Sequence, residues 1–157
     1  MTARPNDQLN IGQMYITESG NTEIDVIMQE GRLEPILTIC VNGTITVDWG
    51  DETTPDTVTG TSLSTRKAVP HTYAQAGAYT ISISAEGNNR YCFYSSTVYT
   101  LLRKNTSNNE NTVYTNAIQH IRIGSNVEID SYAFYTCYSL SSITIPNSIM
   151  SINGNAF

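Results

Sequence analysis

A short pattern occurs twice in the C-terminal third of this chain and restricts the fold more than any other feature. Ile129-Asp130-Ser131-Tyr132-Ala133-Phe134 returns as Ile152-Asn153-Gly154-Asn155-Ala156-Phe157, a spacing of 23 residues. Upstream, Ile121-Arg122-Ile123-Gly124-Ser125-Asn126-Val127 returns as Ile143-Thr144-Ile145-Pro146-Asn147-Ser148-Ile149 at a spacing of 22. Recurrence at this period marks stacked units, each offering a strand to a common sheet. Side chains alternate along an extended I-x-I segment. Ile121 and Ile123 are therefore expected inward and Arg122 outward, with Thr144 outward in the next unit. Ala133 and Ala156 are expected where the coil is tight, beside Phe134 and Phe157 in the core. One unit cannot bury its own apolar face, and about three are usually needed. The chain therefore reads as the amino-terminal piece of a longer solenoid. Its open end, with apolar residues and unpaired strand edges, is expected to favour self-association.

Residues 13–102 have a different period. Tyr79, Ile81, Ile83 and Ala85 alternate with Thr80, Ser82 and Ser84, and Ile45, Val47 and Trp49 with Thr44, Thr46 and Asp48. Such alternation predicts half-buried antiparallel strands. Asn42-Gly43 predicts a hairpin tip, because both residues tolerate positive φ; two registers around it stay open. Further strands are expected at Ile24–Met28, Thr57–Val58 and Tyr91–Leu101, and many short strands separated by turns predict a mainly β protein with a β-sandwich. Residues 103–112 are polar and Asn-rich and read as a linker. Residues 1–12 read as a flexible N-terminus. They lack the apolar stretch of a signal peptide, and no apolar run approaches the roughly 18 residues of a membrane span, so no membrane insertion is expected of this piece.

Two motifs resemble known families. Val47-Asp48-Trp49-Gly50-Asp51-Glu52, followed by His71-Thr72-Tyr73 and Gly77-Ala78-Tyr79, resembles the polycystic-kidney-disease (PKD) type domain, an immunoglobulin-like sandwich. The sequence differs from that family in carrying Glu52 where the turn usually has Gly. The run from Ala133-Phe134 through Cys137 and Leu140 to Ile143-Thr144-Ile145-Pro146 resembles the BspA-type leucine-rich repeat. The resemblance implies a PKD-like sandwich over 13–102, a linker over 103–112 and truncated BspA-type repeats over 113–157. It marks Trp49, Asp51, His71, Tyr73, Tyr79, Phe134 and Cys137 as structural positions. It further implies a bacterial cell-surface or secreted protein used in adhesion, with host extracellular or matrix proteins as partners.

The residues themselves point to no catalysis. No G-x-S-x-G elbow, P-loop, H-E-x-x-H or dinucleotide glycine run is present, so no enzyme activity, cofactor or metal is expected. Asp48, Asp51, Glu52 and Asp56 cluster in sequence, but their spacing does not follow the EF-hand pattern. Cys40, Cys92 and Cys137 are odd in number and widely spaced, and are expected as buried packing groups. Lys plus Arg number 8 against 14 for Asp plus Glu, a net charge of −6, which disfavours nucleic acid as a partner. Ten tyrosines against three phenylalanines suit contact surfaces. Tyr132, Tyr135 and Tyr138, with the outward Arg122 and Thr144, are the candidate ligand contacts. Glycan binding by an accessory module and a purely structural stalk are the alternatives to adhesion.

Overall fold

The computed structural model describes residues 20–104 and 111–157; the expected flexible segment 1–12 lies outside the described residues. In β1 (Thr22–Met28) the inward residues Thr22, Ile24, Val26 and Met28 alternate with Glu23, Asp25 and Ile27 on the solvent face. The same period builds β4 (Gly77–Ser84), where Ile81 and Ile83 are buried. The other strands are β2 (Pro35–Asp48), β3 (Asp56–Pro70), β5 (Arg90–Phe93), β6 (Leu102–Lys104), β7 (Ile118–Arg122), β8 (Val127–Ile129) and β9 (Ser142–Thr144), with one short helix, α1 (Asn111–Thr115). None of the described helical residues forms a segment long and apolar enough to cross a membrane.

The nine strands among the described residues belong to one sheet, in the order β8-β5-β2-β4-β1-β7-β9, with β3 and β6 attached to β2. Four residues separate the end of β7 from the start of β8, yet the two strands lie far apart along that order. The sheet must therefore curl until its distant members meet, enclosing the core. One continuous apolar cluster fills the curl. It joins Trp49, Tyr73, Ile81 and Phe93 to Ile121, Ile129 and Phe134.

Strand ladders cross the polar stretch at 103–112. β1 pairs antiparallel with β4 on one side and with β7 on the other, so Ile24 lies between Ile81 and Ile121. β5 pairs parallel with β8, Tyr91 opposite Val127 and Phe93 opposite Ile129. The stretch read as a linker begins inside β6, which pairs with Pro35–Leu37, and ends inside α1. The two recurring motifs are stacked in parallel register. His120, Ile121 and Arg122 lie opposite Ser142, Ile143 and Thr144, and Ile129 bridges Ile152.

Asn42-Gly43 is not a hairpin tip. It sits inside β2, with Asn42 opposite Thr61 and Gly43 opposite Gly60 of β3. Along its other edge β2 changes neighbour here, from β5 at Cys40–Asn42 to β4 at Thr46–Asp48. Gly43 has φ +104°, and the Asn89 side chain fills the space a Cβ would need while accepting the Thr44 N–H at 2.8 Å. The glycine lets one strand leave a neighbour and meet another. Residues 35–41 are buried on both faces, so alternation fails there. Arg66 lies 4.2 Å from the Tyr94 ring centre, Arg103 lies 5.3 Å from that of Tyr99, and Arg103 Nε donates to Thr38 Oγ1. These groups pack over the side of β2 that faces away from the curl. Of the strand expected over Tyr91–Leu101 only Tyr91–Phe93 is extended, as part of β5; residues 94–101 form bends and loop, and β6 begins after them.

Candidate functional site

The outward face of β4, β1, β7 and β9 collects polar side chains from positions as far apart in sequence as Glu23 and Thr144. Register fixes them in two transverse rows. Thr80, Asp25, His120 and Ser142 form the first, and Ser82, Glu23, Arg122 and Thr144 the second. Four strands at about 4.8 Å spacing make each row roughly 14 Å wide.

Arg122 ties the rows together. Its guanidinium donates to Glu23 Oε2 at 2.8 Å, Asp25 Oδ2 at 2.9 Å and Asp25 Oδ1 at 3.1 Å, and Thr80 Oγ1 donates to Asp25 Oδ1 at 2.7 Å. The Arg122 hydrogen bonds hold the Asp25 carboxyl below its ordinary value against the opposing effect of burial, and Arg122 is raised by the same two carboxylates. His120 Nδ1 lies 2.8 Å from Ser142 Oγ and 3.1 Å from Ser141 Oγ, whose hydroxyl also reaches the Gln119 carbonyl. Asp25 hydrogen-bonds Arg122 and Thr80, and among the described residues no hydrogen bond joins it to His120 beside it in the row. Beside the row runs a shallow groove of about 640 Å³ lined by Asp25, Ile27, Gly50, Thr80, Gln119 and His120. Ile27 gives it an apolar floor, being 47% exposed.

The expected tyrosines lie elsewhere. Tyr132 and Tyr135 are half-buried and meet edge to face, ring centres 5.5 Å apart, in the turns between β8 and β9, where Tyr138 is 77% exposed. Of the five candidate contacts, the structure places Arg122 and Thr144 side by side and the tyrosines in a separate group. Sequence reasoning missed Glu23, Asp25, Thr80 and Ser142 and set His120 aside. The only signal available was that alternation turns Thr80 and Ser82 away from the buried Ile81.

The remaining marked residues serve the fold. Trp49 is fully buried, stacks on His71 at 4.6 Å, and donates from Nε1 to Asp56 Oδ2. Tyr73 donates to the Trp49 carbonyl and stacks on Tyr79 at 4.2 Å. Asp51 accepts the Thr53 N–H and hydroxyl and lies 2.8 Å from His71 Nε2. Burial alone would raise its pKa, but these hydrogen bonds outweigh it and the net shift is downward. Asp48 accepts the Gly50 N–H, and Glu52 holds φ +68°, a conformation that glycine adopts freely. Phe134 is buried between Phe93 and Phe157. Cys137 is half-buried, its thiol pushed up to about 12 by desolvation. Cys40 and Cys92 are buried opposite each other, pushed up to about 11 and about 12 mainly for the same reason.

Asp25, Asp51 and Asp130 all titrate lower in the folded protein than in the unfolded chain, the last mainly through the Asn153 amide. Their contribution is complete above the unfolded value of about 3.9 and is lost as pH falls through the lower folded values. The melting temperature should therefore fall below about pH 4. Asp25→Asn should be less stable at neutral pH, with a shallower acid decline. An unchanged acid slope would show that the Arg122 pairing does not contribute.

A family model described as BspA type leucine-rich repeat region (6 copies) matches residues 76–157. That span opens just ahead of β4, within the antiparallel part of the sheet. No curated protein and no solved structure matches the chain.

Proposed function

The chain belongs to the BspA-type leucine-rich repeat family, and from that premise we propose that it is a non-enzymatic, protein-binding part of a bacterial surface or secreted protein. Repeats of this family commonly mediate protein–protein interaction. In this reading residues 13–102 are a PKD-like cap and spacer, and residues 113–157 begin the repeat solenoid. Host extracellular or matrix proteins are the partners.

One observation carries the reading. The two polar rows pass without interruption from β4 and β1 into β7 and β9, so these strands present one continuous outward face with a groove beside it. A fixed guanidinium–carboxylate network, exposed hydroxyls and an apolar Ile27 suit a protein partner, whose contacts are a small apolar centre inside a polar rim. The test is binding to immobilised matrix proteins. Ile27→Asp combined with His120→Ala, both solvent-facing, should weaken binding at least about tenfold, or about 1.4 kcal/mol, with the circular dichroism spectrum unchanged. Undiminished binding would remove this face from the interaction.

The exposed Tyr138 beside Tyr132 and Tyr135 favours a second reading, glycan binding. Retention on insoluble polysaccharide, abolished by Tyr138→Ala, would replace the first reading. Retention on neither matrix would leave a stalk.

A further inference from the structure

Register places Cys40 of β2 directly opposite Cys92 of β5, with Val41 opposite Tyr91 at the next rung. Side chains alternate along a strand. Ile39, Val41, Tyr91 and Phe93 all belong to the apolar cluster inside the curl. Both cysteines therefore turn to the other side of the sheet, where they lie together. Directly opposed residues of an antiparallel pair stand about 4.5–5.5 Å apart at Cα, inside the roughly 4.4–6.8 Å that a disulfide spans. The two thiols are free in this structure, at residues 0% and 1% exposed. Their closeness also shows in titration: burial raises Cys92 most, and Cys40 raises it further.

The charges acting on the pair are Arg66, opposite Cys40 in β3, and the anions Asp130 and Glu128. Arg66 reaches from β3 over β2 to the segment that follows β5. Its guanidinium donates to the Tyr94 and Ser95 carbonyls and lies 4.2 Å from the Tyr94 ring centre. The pair thus sits beneath a fastened layer, at a narrow place in the sheet. β5 has four residues, and it meets β2 through three residue pairs and β8 through three more.

We propose that Cys40 and Cys92 form a redox pair that closes to a cross-strand disulfide when the chain folds in an oxidising compartment, stapling β5 to β2. Two S–H bonds break and one S–S bond forms. The two electrons and two protons pass to a small disulfide oxidant such as oxidised glutathione, which leaves as two thiols. The bond closes a loop that contains β3 and β4 whole, and such a cross-link stabilises the fold by restricting the unfolded chain. This inference is independent of the partner-binding reading, since neither cysteine lies in the two polar rows.

The test refolds the reduced chain in a mixture of reduced and oxidised glutathione, then unfolds it in iodoacetamide and maps the peptides. Cys40 should be linked to Cys92 and Cys137 alkylated, with the chain at monomer mass and lighter by two hydrogen atoms before alkylation. The urea midpoint of the oxidised chain should exceed that of the chain held in dithiothreitol. Cys137→Ala should keep both the link and the difference in midpoint, while Cys40→Ala should lose both. Mapping the unaltered chain needs no variant to fold. Three alkylated cysteines, glutathione capping in place of the link, a link through Cys137, or an oxidised chain no more stable than the reduced one would each overturn the proposal.

Discussion

Phe134→Ala should destabilise the protein by about 3–5 kcal/mol, the usual cost of deleting a buried aromatic ring and leaving its cavity. The ring sits between Phe93 of β5, 6.0 Å away, and Phe157 of the second unit, 5.3 Å away. It therefore belongs to the antiparallel part and to both repeat units at once, and no single neighbour can collapse into the space. Against a total stability of about 5–15 kcal/mol for an ordinary domain, the loss should be plain as a lowered urea midpoint with the transition still single. Phe157→Ala deletes the same group one repeat later, where it is largely exposed, and should cost far less. Equal effects at the two positions would contradict the shared core.

Gly124→Ala should cost about 3 kcal/mol, because an added methyl has nowhere to go without moving backbone. It would strike the Gly20 carbonyl oxygen and the Asn21 backbone, neither of which can swing aside as a side chain can. The Gly124 N–H also donates to Thr22 Oγ1 at 2.9 Å, and the same oxygen accepts from Tyr91 Oη at 2.6 Å inside the core. One threonine hydroxyl thus joins β1, β5 and the turn after β7. Displacing Gly124 disturbs all three, so amide exchange should accelerate in β1 and β7 more than in β2 and β3. Gly154→Ala, where nothing lies within 4 Å of the new methyl, serves as the matched control and should be close to neutral. A similar loss for both would mean that intrinsic backbone preference, and not the close approach, sets the cost.

The local part of the fold was legible because it depends on period alone. Alternation at Tyr79–Ile83 and the recurrence at 22 residues appear as strands in the expected places, with Ile121 and Ile123 inward and Arg122 outward, and the recurrence at 23 residues as a parallel bridge from Ile129 to Ile152. Asp51 could be expected to cap its own turn, since the bond spans two residues. What escaped depends on partners distant in sequence. Asn42-Gly43 has the chemistry of a hairpin, but β3 on one side and Asn89 on the other hold it extended. β3 is a long Thr- and Ser-rich strand with few buried positions, and it left only Thr57–Val58 to be noticed. The outward rows escaped for the same reason: Arg122 meets Asp25 across 97 residues, and only the β1–β7 register brings them together.

The place of β1 between β4 and β7 has a consequence for biogenesis. Chains emerge from the ribosome amino end first, at roughly 5–20 residues per second. β1 and β4 are complete before the first residue of β7 exists, so for several seconds one edge of β1 stands ready as a template. When β7 arrives it docks on a finished strand, and β9 then docks on β7. The acidic Glu23 and Asp25 guard the waiting edge against stray neutral strands, while Arg122 on the arriving strand carries the charge that matches them. The same three side chains that decorate the mature surface thus help decide which strand is admitted to the nascent one.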